Sequence, residues 1–355
     1  MVNYKIKREV LNSNINFPVC LAPMVGLSHV ALRTAIRRYL PSDALTIWPT
    51  EMLSSRRLPH EQLNRSPEVF FSDTDLKQGL VPQILGNNEH EIALSVAKLK
   101  SWGAQAIDIN MGCPVAKALR HNYGVSLMGD IQYAKSIVEM TVRNTDLPVS
   151  VKLRAGLQND PNFLLDFVHS LESAGASWIC LHPRLAHQKR RGYADWSQIK
   201  FVRENLKIPV IGNGDIQIAQ DVLAMIEQTD CDMVMIGRAL TVRPWILWQV
   251  GKQFGFSNPI HFSENQNPPK NSIEEGYECG RHLLFTLEQF KIYFNENIGI
   301  RKFQFLLKNA CPWLEFGHTL QSMASRAKNY SEMQVALESF FSREQSMSHY
   351  TDLRY

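Results

Sequence analysis

What this chain of 355 residues lacks narrows what it can be. No uncharged apolar run is long enough to cross a bilayer, and the opening stretch, MVNYKIKREVLNSN, has none of the apolar core of a signal peptide. The six cysteines (Cys20, Cys113, Cys180, Cys231, Cys279, Cys311) form no C-x-x-C pair and no zinc-like grouping with histidines. Charge of one sign is also lacking: 38 basic against 34 acidic residues leaves a formal net charge of +4, so attraction to a polyanion has to come from local patches. No low-complexity tract is present, and 45% apolar content over this length is ample for a large core. The expectation is a soluble, cytoplasmic protein, a monomer with no membrane and no metal as partner.

What is there is an alternation. From residue 17 to about residue 250, short strand-like runs alternate with helical patterns: FPVCLAPM, ALTIWPTEM, GLVPQILG, QAIDINMG, LPVSVKLR, SWICLHPR, IPVIGNGD and CDMVMIGR. Eight such runs spaced by helices predict a closed (β/α)8 barrel of the TIM type, an α/β fold. The helices carry their own punctuation. Asn88 reads as an N-cap with Glu91 three residues on and Gly103 past the end; Asp160 and Pro161 open a second helix that Gly175 follows. The stretch SNPIHFSENQNPPKNS is polar and rich in proline and asparagine, so it reads as a linker. The predicted division is a barrel over 1–255, a linker over 256–272 and a small helical domain over 273–355, where Leu283, Leu287, Phe290 and Phe294 recur at helical spacing and GIRKFQFLLKNACPWL makes a helix that stops before Pro312.

In such barrels chemistry sits at the C-terminal strand ends. Those ends here present Pro23 and Met24; Thr50 and Glu51; Gln83; Asn110 and Cys113; Lys152 and Arg154; His182 and Arg184; Asn213, Gly214 and Asp215; Gly237 and Arg238. The glycines after runs seven and eight let backbone N–H groups approach an anion, the usual phosphate cradle of the fold. Lys152, inside an apolar strand, either serves a ligand in the mouth or pairs with Glu51 or Asp108. His182 and Gln83 read equally as ligand contacts or as satisfied core residues. Cys20, Cys180 and Cys231 read as packing. Cys113, on a turn between Gly112 and Pro114, is either a reactive thiol or a small buried hydrophobe.

Taken in order, A-P-M, T-E-M, N-x-G-C-P, V-K-x-R-x-G, G-N-G-D and I-G-R resemble the tRNA-dihydrouridine synthases, with IGIRKFQFLLKNACPWL similar to that family's C-terminal helical RNA-binding domain. The resemblance implies FMN as cofactor, NADPH as reductant and tRNA as partner. It sets Pro23 and Met24 against the flavin ring, Gln83 and Lys152 on its polar edge and His182 nearby, with the phosphate on Asn213, Gly214, Asp215, Gly237 and Arg238. It implies Asn110 and Arg154 holding a flipped-out uracil, with Arg184 also on the substrate side. Hydride would pass from flavin N5 to uracil C6, and Cys113, as a thiol, would give a proton to C5.

Two places depart from the family's pattern. Tyr123 stands where a glycine is commoner, and His182, Pro183, Arg184, Leu185 replaces a His-Gly-Arg-Thr. The helical domain is also not basic overall: residues 271–355 carry nine Lys or Arg and ten Asp or Glu, net minus one. An RNA surface would have to combine Arg301, Lys302 and Lys308 with Arg120, Lys189, Arg190 and Arg191 on barrel loops. Two other functions stay open at this level: a flavin barrel acting on a small molecule such as a free pyrimidine, and a catalytically idle RNA-binding barrel.

Overall fold

The computed structural model describes residues 6–63, 65–77, 79–115 and 120–351; the outermost residues of the predicted barrel and helical domain, 1–5 and 352–355, lie outside these. Eight parallel strands follow one another around a barrel: β1 (Val19–Leu21), β2 (Trp48–Ser54), β3 (Leu80–Leu85), β4 (Ile107–Met111), β5 (Val149–Gly156), β6 (Trp178–Leu185), β7 (Val210–Asn213) and β8 (Met233–Ile236). From β2 to β8 each strand pairs with the next in sequence, and β8 returns to pair with β1. Between β1 and β2 the seam is closed by the Phe17 N–H and the Thr46 hydroxyl, which donate to the carbonyls of Leu45 and Val19 at 3.1 and 2.6 Å. The fold is the (β/α)8 barrel that the alternation predicts.

Strand parity sorts the core. Cys20, Val81, Trp178, Cys180, Ile211, Met233 and Met235 pack together inside the barrel, while their alternate neighbours Val19, Leu21, Ile179, Leu181, Val210 and Val234 belong to the larger core shared with the helices. The three strand-associated cysteines are all buried, as packing residues should be. Val10 and Ile15, from the N-terminal segment, join the inner cluster, next to Trp178 at the start of β6.

Helices α1 (Val30–Arg37), α2 (Asp73–Lys77), α3 (Glu89–Ser101), α4 (Ile131–Arg143), α5 (Pro161–Ser173), α6 (Trp196–Asn205), α7 (Ala219–Thr229), α8 (Arg238–Val242) and α9 (Ile246–Phe254) connect the strands or follow the last. The caps read from sequence are made. Asn88 Oδ1 accepts the Glu91 N–H at 3.0 Å, Asp160 Oδ1 accepts the Phe163 N–H at 3.0 Å, and Gly103 and Gly175 end their helices at positive φ. Glu91 does not complete a box with Asn88; its carboxylate lies 3.8 Å from Arg56 instead.

Helices α10 (Ser272–Tyr293), α11 (Glu296–Ala310), α12 (Gly317–Arg326) and α13 (Tyr330–Phe341) form the C-terminal region. Helix α10 packs along α1, and the junction is polar and fully buried. Glu275 pairs with Arg243 and accepts the Trp245 indole N–H at 3.0 Å, and Tyr39 donates to Glu278 at 2.6 Å. The proline-rich connection is docked on this junction: Phe262 is buried against Trp248 and Tyr39, at ring-centroid distances of 4.3 and 5.6 Å. No helix among the described residues is long and apolar enough to cross a membrane.

Candidate active site

Parity also builds the site. Asp108 and Asn110 share the inner face of β4, Ser150, Lys152 and Arg154 that of β5, and His182 that of β6. Register sets Asn110 beside Lys152 and Arg154 beside His182. Two irregularities re-aim the strand ends. On β2, Thr50 and Glu51 stand opposite the single residue Pro82, and on β6 Pro183 and Arg184 stand opposite the single residue Ala155. A proline cannot donate to the ladder, so a bulge is where a sheet tolerates one. This gives the proline of the His-Pro-Arg-Leu departure a place that costs no ladder bond.

The Cys113 turn hangs from a chain of hydrogen bonds. The Ser150 hydroxyl donates to Asp108 Oδ1 at 2.7 Å, and Gln83 Nε2 donates to Asp108 Oδ2 at 2.6 Å. Asn110 Nδ2 donates to Gln83 Oε1 at 2.8 Å, and its Oδ1 accepts the N–H groups of Gly112 and Cys113 at 3.2 and 2.9 Å. The side-chain N and O of both Gln83 and Asn110 thus have partners within the protein, and Asn110 acts here as the clamp of the turn. Burial pushes the Asp108 carboxyl up to about 6 against the pull of its two hydrogen-bond donors and of Lys152.

Cys113 is buried against Tyr123, Met52 and Leu85. Burial pushes its thiol up, with the Val115 N–H, Arg154 and Lys152 opposing. The segment after it folds back so closely that a Cβ on Gly124 would stand 2.5 Å from the Cys113 carbonyl oxygen, and Gly124 has φ +62°. Tyr123, the departure from the family's glycine, supplies the aromatic wall beside the thiol.

The opposite side of the mouth is crowded with cations. Lys152 Nζ donates to Asn213 Oδ1 at 3.2 Å and makes no ion pair with Glu51 or Asp108. Arg184 reaches Asp215 at 2.5 Å and His182 Nε2 at 3.0 Å. A guanidinium only donates, so Nε2 accepts and His182 is the neutral Nδ1–H tautomer; burial and the charges of Lys152, Arg154, Arg184 and Arg238 hold its pKa well below 6.5. Burial followed by neighbouring guanidinium groups brings both Arg154 and Arg238 down to about 10. The Asp215 carboxylate is engaged by Arg184 and also accepts the Ala194 N–H at 2.7 Å. Arg154 donates to the carbonyls of Gly112, Leu185 and Lys189, so it staples the Cys113 turn to the loop after β6.

These residues fit a phosphate-bearing cofactor. Gly214 has φ +121°, and a Cβ there would lie 2.8 Å from Ala194 Cβ and 3.0 Å from His182 Cδ2, so the backbone must come close. Gly237 is less constrained: a Cβ would make only ordinary contact, 3.5 Å from Met24 Sδ, which sets Met24 beside the β8 loop. Pro23 lies just past β1, next to Met24. All the predicted site residues thus ring the C-terminal mouth. Sequence reasoning gave Asp108 no role of its own and missed Ser150, although Asp108 and Asn110, two residues apart on one strand, carry the parity signal of a shared face.

The family model for Dihydrouridine synthase matches residues 20–347. Among curated proteins, a probable tRNA-dihydrouridine synthase of Rhizobium leguminosarum bv. phaseoli is 34% identical over 64% of this chain and 69% of its own length. One of Synechocystis sp. is 32% identical over 77% of this chain and 73% of its own. A third, of Rickettsia conorii, is 33% identical over 83% of each.

Proposed function

The chain belongs to the dihydrouridine synthase family, and from that premise we propose that it reduces a particular uridine of tRNA to 5,6-dihydrouridine, with FMN as resident cofactor and NADPH as reductant. The observation that carries the reading is the pairing of a protonated thiol on one side of the barrel mouth with a cation-rich, glycine-lined cradle on the other. The carboxylate of that cradle, Asp215, is already engaged by Arg184. A dianionic phosphate relieves the mutual repulsion of Arg154, Arg184 and Arg238.

FMN, when bound, supplies the hydride that uracil accepts at C6. Asn213, Gly214, Gly237 and Arg238 would hold its phosphate, with Asp215 contributing through Arg184, while Pro23 and Met24 would pack on the ring. Lys152, steadied by Asn213, offers its ammonium to the electron-rich edge, with Gln83 beside it, and His182 offers Nδ1–H. A uridine reaches this depth only unstacked from its neighbours. Asn110 and Arg154 shape the uracil pocket by fixing the turn and loop that wall it. Cys113 then holds the proton that C5 needs: a thiol raised by burial stays protonated at neutral pH and gives its proton up as charge builds on the carbon. That α11 reaches the same mouth, through Lys302, favours a polymeric substrate over a free pyrimidine.

Replacing Cys113 with alanine separates the two halves of this account. The variant should keep its flavin absorbance and oxidise NADPH at the wild-type rate, yet lose dihydrouridine formation by about a hundredfold or more, the scale of a missing general acid. Dihydrouridine formation at the wild-type rate would remove Cys113 as the acid.

A further inference from the structure

Glu51 has no part in the chemistry above, yet it is built with care. The β2 bulge turns it into the protein, where it is 2% exposed. Its Oε1 accepts the Gly26 N–H. Its Oε2 has no hydrogen-bond partner among the described residues and faces Lys302 Nζ at 3.7 Å. Lys302 arrives from α11, in the C-terminal region, and also lies 5.6 Å over the Phe294 ring. One turn further along α11, Phe305 covers Gly26: a Cβ there would stand 2.9 Å from its Cε1, and Gly26 has φ +79°. Helix α11 therefore grips the loop after β1 twice, once by charge through Glu51 and once by a ring. That loop starts at Met24, whose carbonyl accepts the N–H groups of Leu27 and Ser28 at 3.1 and 3.0 Å.

A buried carboxylate with one unbonded oxygen is costly, and an apolar pair would join two surfaces at least as well. What the ion pair adds is dependence. Burial pushes the Glu51 carboxyl up, and Lys302 and the Gly26 N–H pull it back; Arg33 from α1 and Glu68 are the other charged groups that act on it. With Lys302 withdrawn, Glu51 loses the charge that keeps it a strong acceptor for the Gly26 amide, and the loop loses an anchor.

We propose that Lys302 and Glu51 are a positioning pair through which the C-terminal helices set the loop bearing Met24 at the barrel mouth. What the loop faces rests on the function proposed above, while the pair itself is a statement about this chain alone. The C-terminal region is then part of the active site as well as a candidate handle for RNA, which its neighbour Arg301, exposed on the same helix, would serve.

The test is hydrogen exchange of the full chain without flavin, followed over the Met24–Ser28 amides, alongside FMN and tRNA dissociation constants. Lys302→Met and Glu51→Gln should each speed exchange there by about tenfold, the loss expected for a hydrogen bond to a charged group, with exchange in α4 unchanged. Both should weaken FMN binding, and the double variant should be no worse than the worse single one. Lys302→Arg should restore protection, and Arg301→Ala should lower tRNA affinity without touching the loop. Unchanged exchange in Lys302→Met, effects that add in the double variant, or a Lys302→Met defect confined to tRNA affinity would each overturn the pair. A chain that bound no FMN in any form would contradict the functional reading, while the exchange data would still decide this one.

Discussion

Asp108 shows how much a single residue can hold in place and at what cost. Its carboxyl, shut inside the barrel between Ser150 and Gln83, is pushed up to about 6, while the unfolded chain holds an aspartate near its ordinary value of about 3.9. Between those values the folded protein binds the extra proton, so stability is greatest below the window and is lost as pH rises through it. The loss is about 3 kcal/mol by pH 7. Asp108→Asn keeps the shape and removes the charge, so its melting temperature relative to the parent should climb between pH 4 and pH 7 and then level off. A difference independent of pH, in melts run across that range, would mean that Asp108 is not protonated on folding. The residue types of the mouth were legible from the strand ends, but their partners were not. Asn110 and Arg154 read as groups facing a base, and in the structure their polar atoms hold the Cys113 turn and the loop after β6. Nothing local in a sequence says whether an amide faces inward to a neighbour or outward to a ligand.

Strands, helices and caps were legible because each depends on neighbours in the chain: apolar alternation, an asparagine before a helix, a glycine after it. Most strands are shorter than the runs that announced them, β1 spanning Val19–Leu21 within FPVCLAPM, since pairing stops where the ends must curl into loops, while β5 and β6 match their runs in length. The bulges on β2 and β6 were not legible. They arise from pairing between strands, and only Pro82 and Pro183 hint at them. The β7 loop is where element geometry bears most on binding, because Trp196 Nε1 donates to the Gly214 carbonyl at 3.1 Å and fixes a backbone that a side chain would strain. Gly214→Ala should cost about 1–2 kcal/mol for the left-handed backbone alone and press on His182. The expected readouts are a melting temperature lower by several degrees, on the scale of a larger domain, and FMN bound at least tenfold more weakly. Unchanged FMN affinity in titration would show that the cofactor phosphate does not rest on this loop.

Across the whole molecule, the polar run read as a linker is a docked connection, because Phe262, a lone aromatic in a polar stretch, finds Trp248 and Tyr39 across the fold. The barrel and the C-terminal helices share one buried junction, in which Arg243 depends on Glu275 for its charge partner. Glu275→Ala should destabilise the protein by about 3–5 kcal/mol, since it leaves a buried guanidinium unpaired. It should also lower a single melting transition; a second transition in calorimetry would mean that the two parts unfold independently. With a net charge of only +4, recognition of a nucleic acid depends on where cations gather, and α11 carries Arg301 and Lys308 on the helix that also reaches Glu51. Uridine reduction is read out by mass mapping of unmodified tRNA incubated with the FMN-loaded protein and NADPH. The expected result is a gain of two hydrogens on one defined uridine. NADPH oxidised by a flavin-loaded protein with no such gain on any tRNA would contradict it.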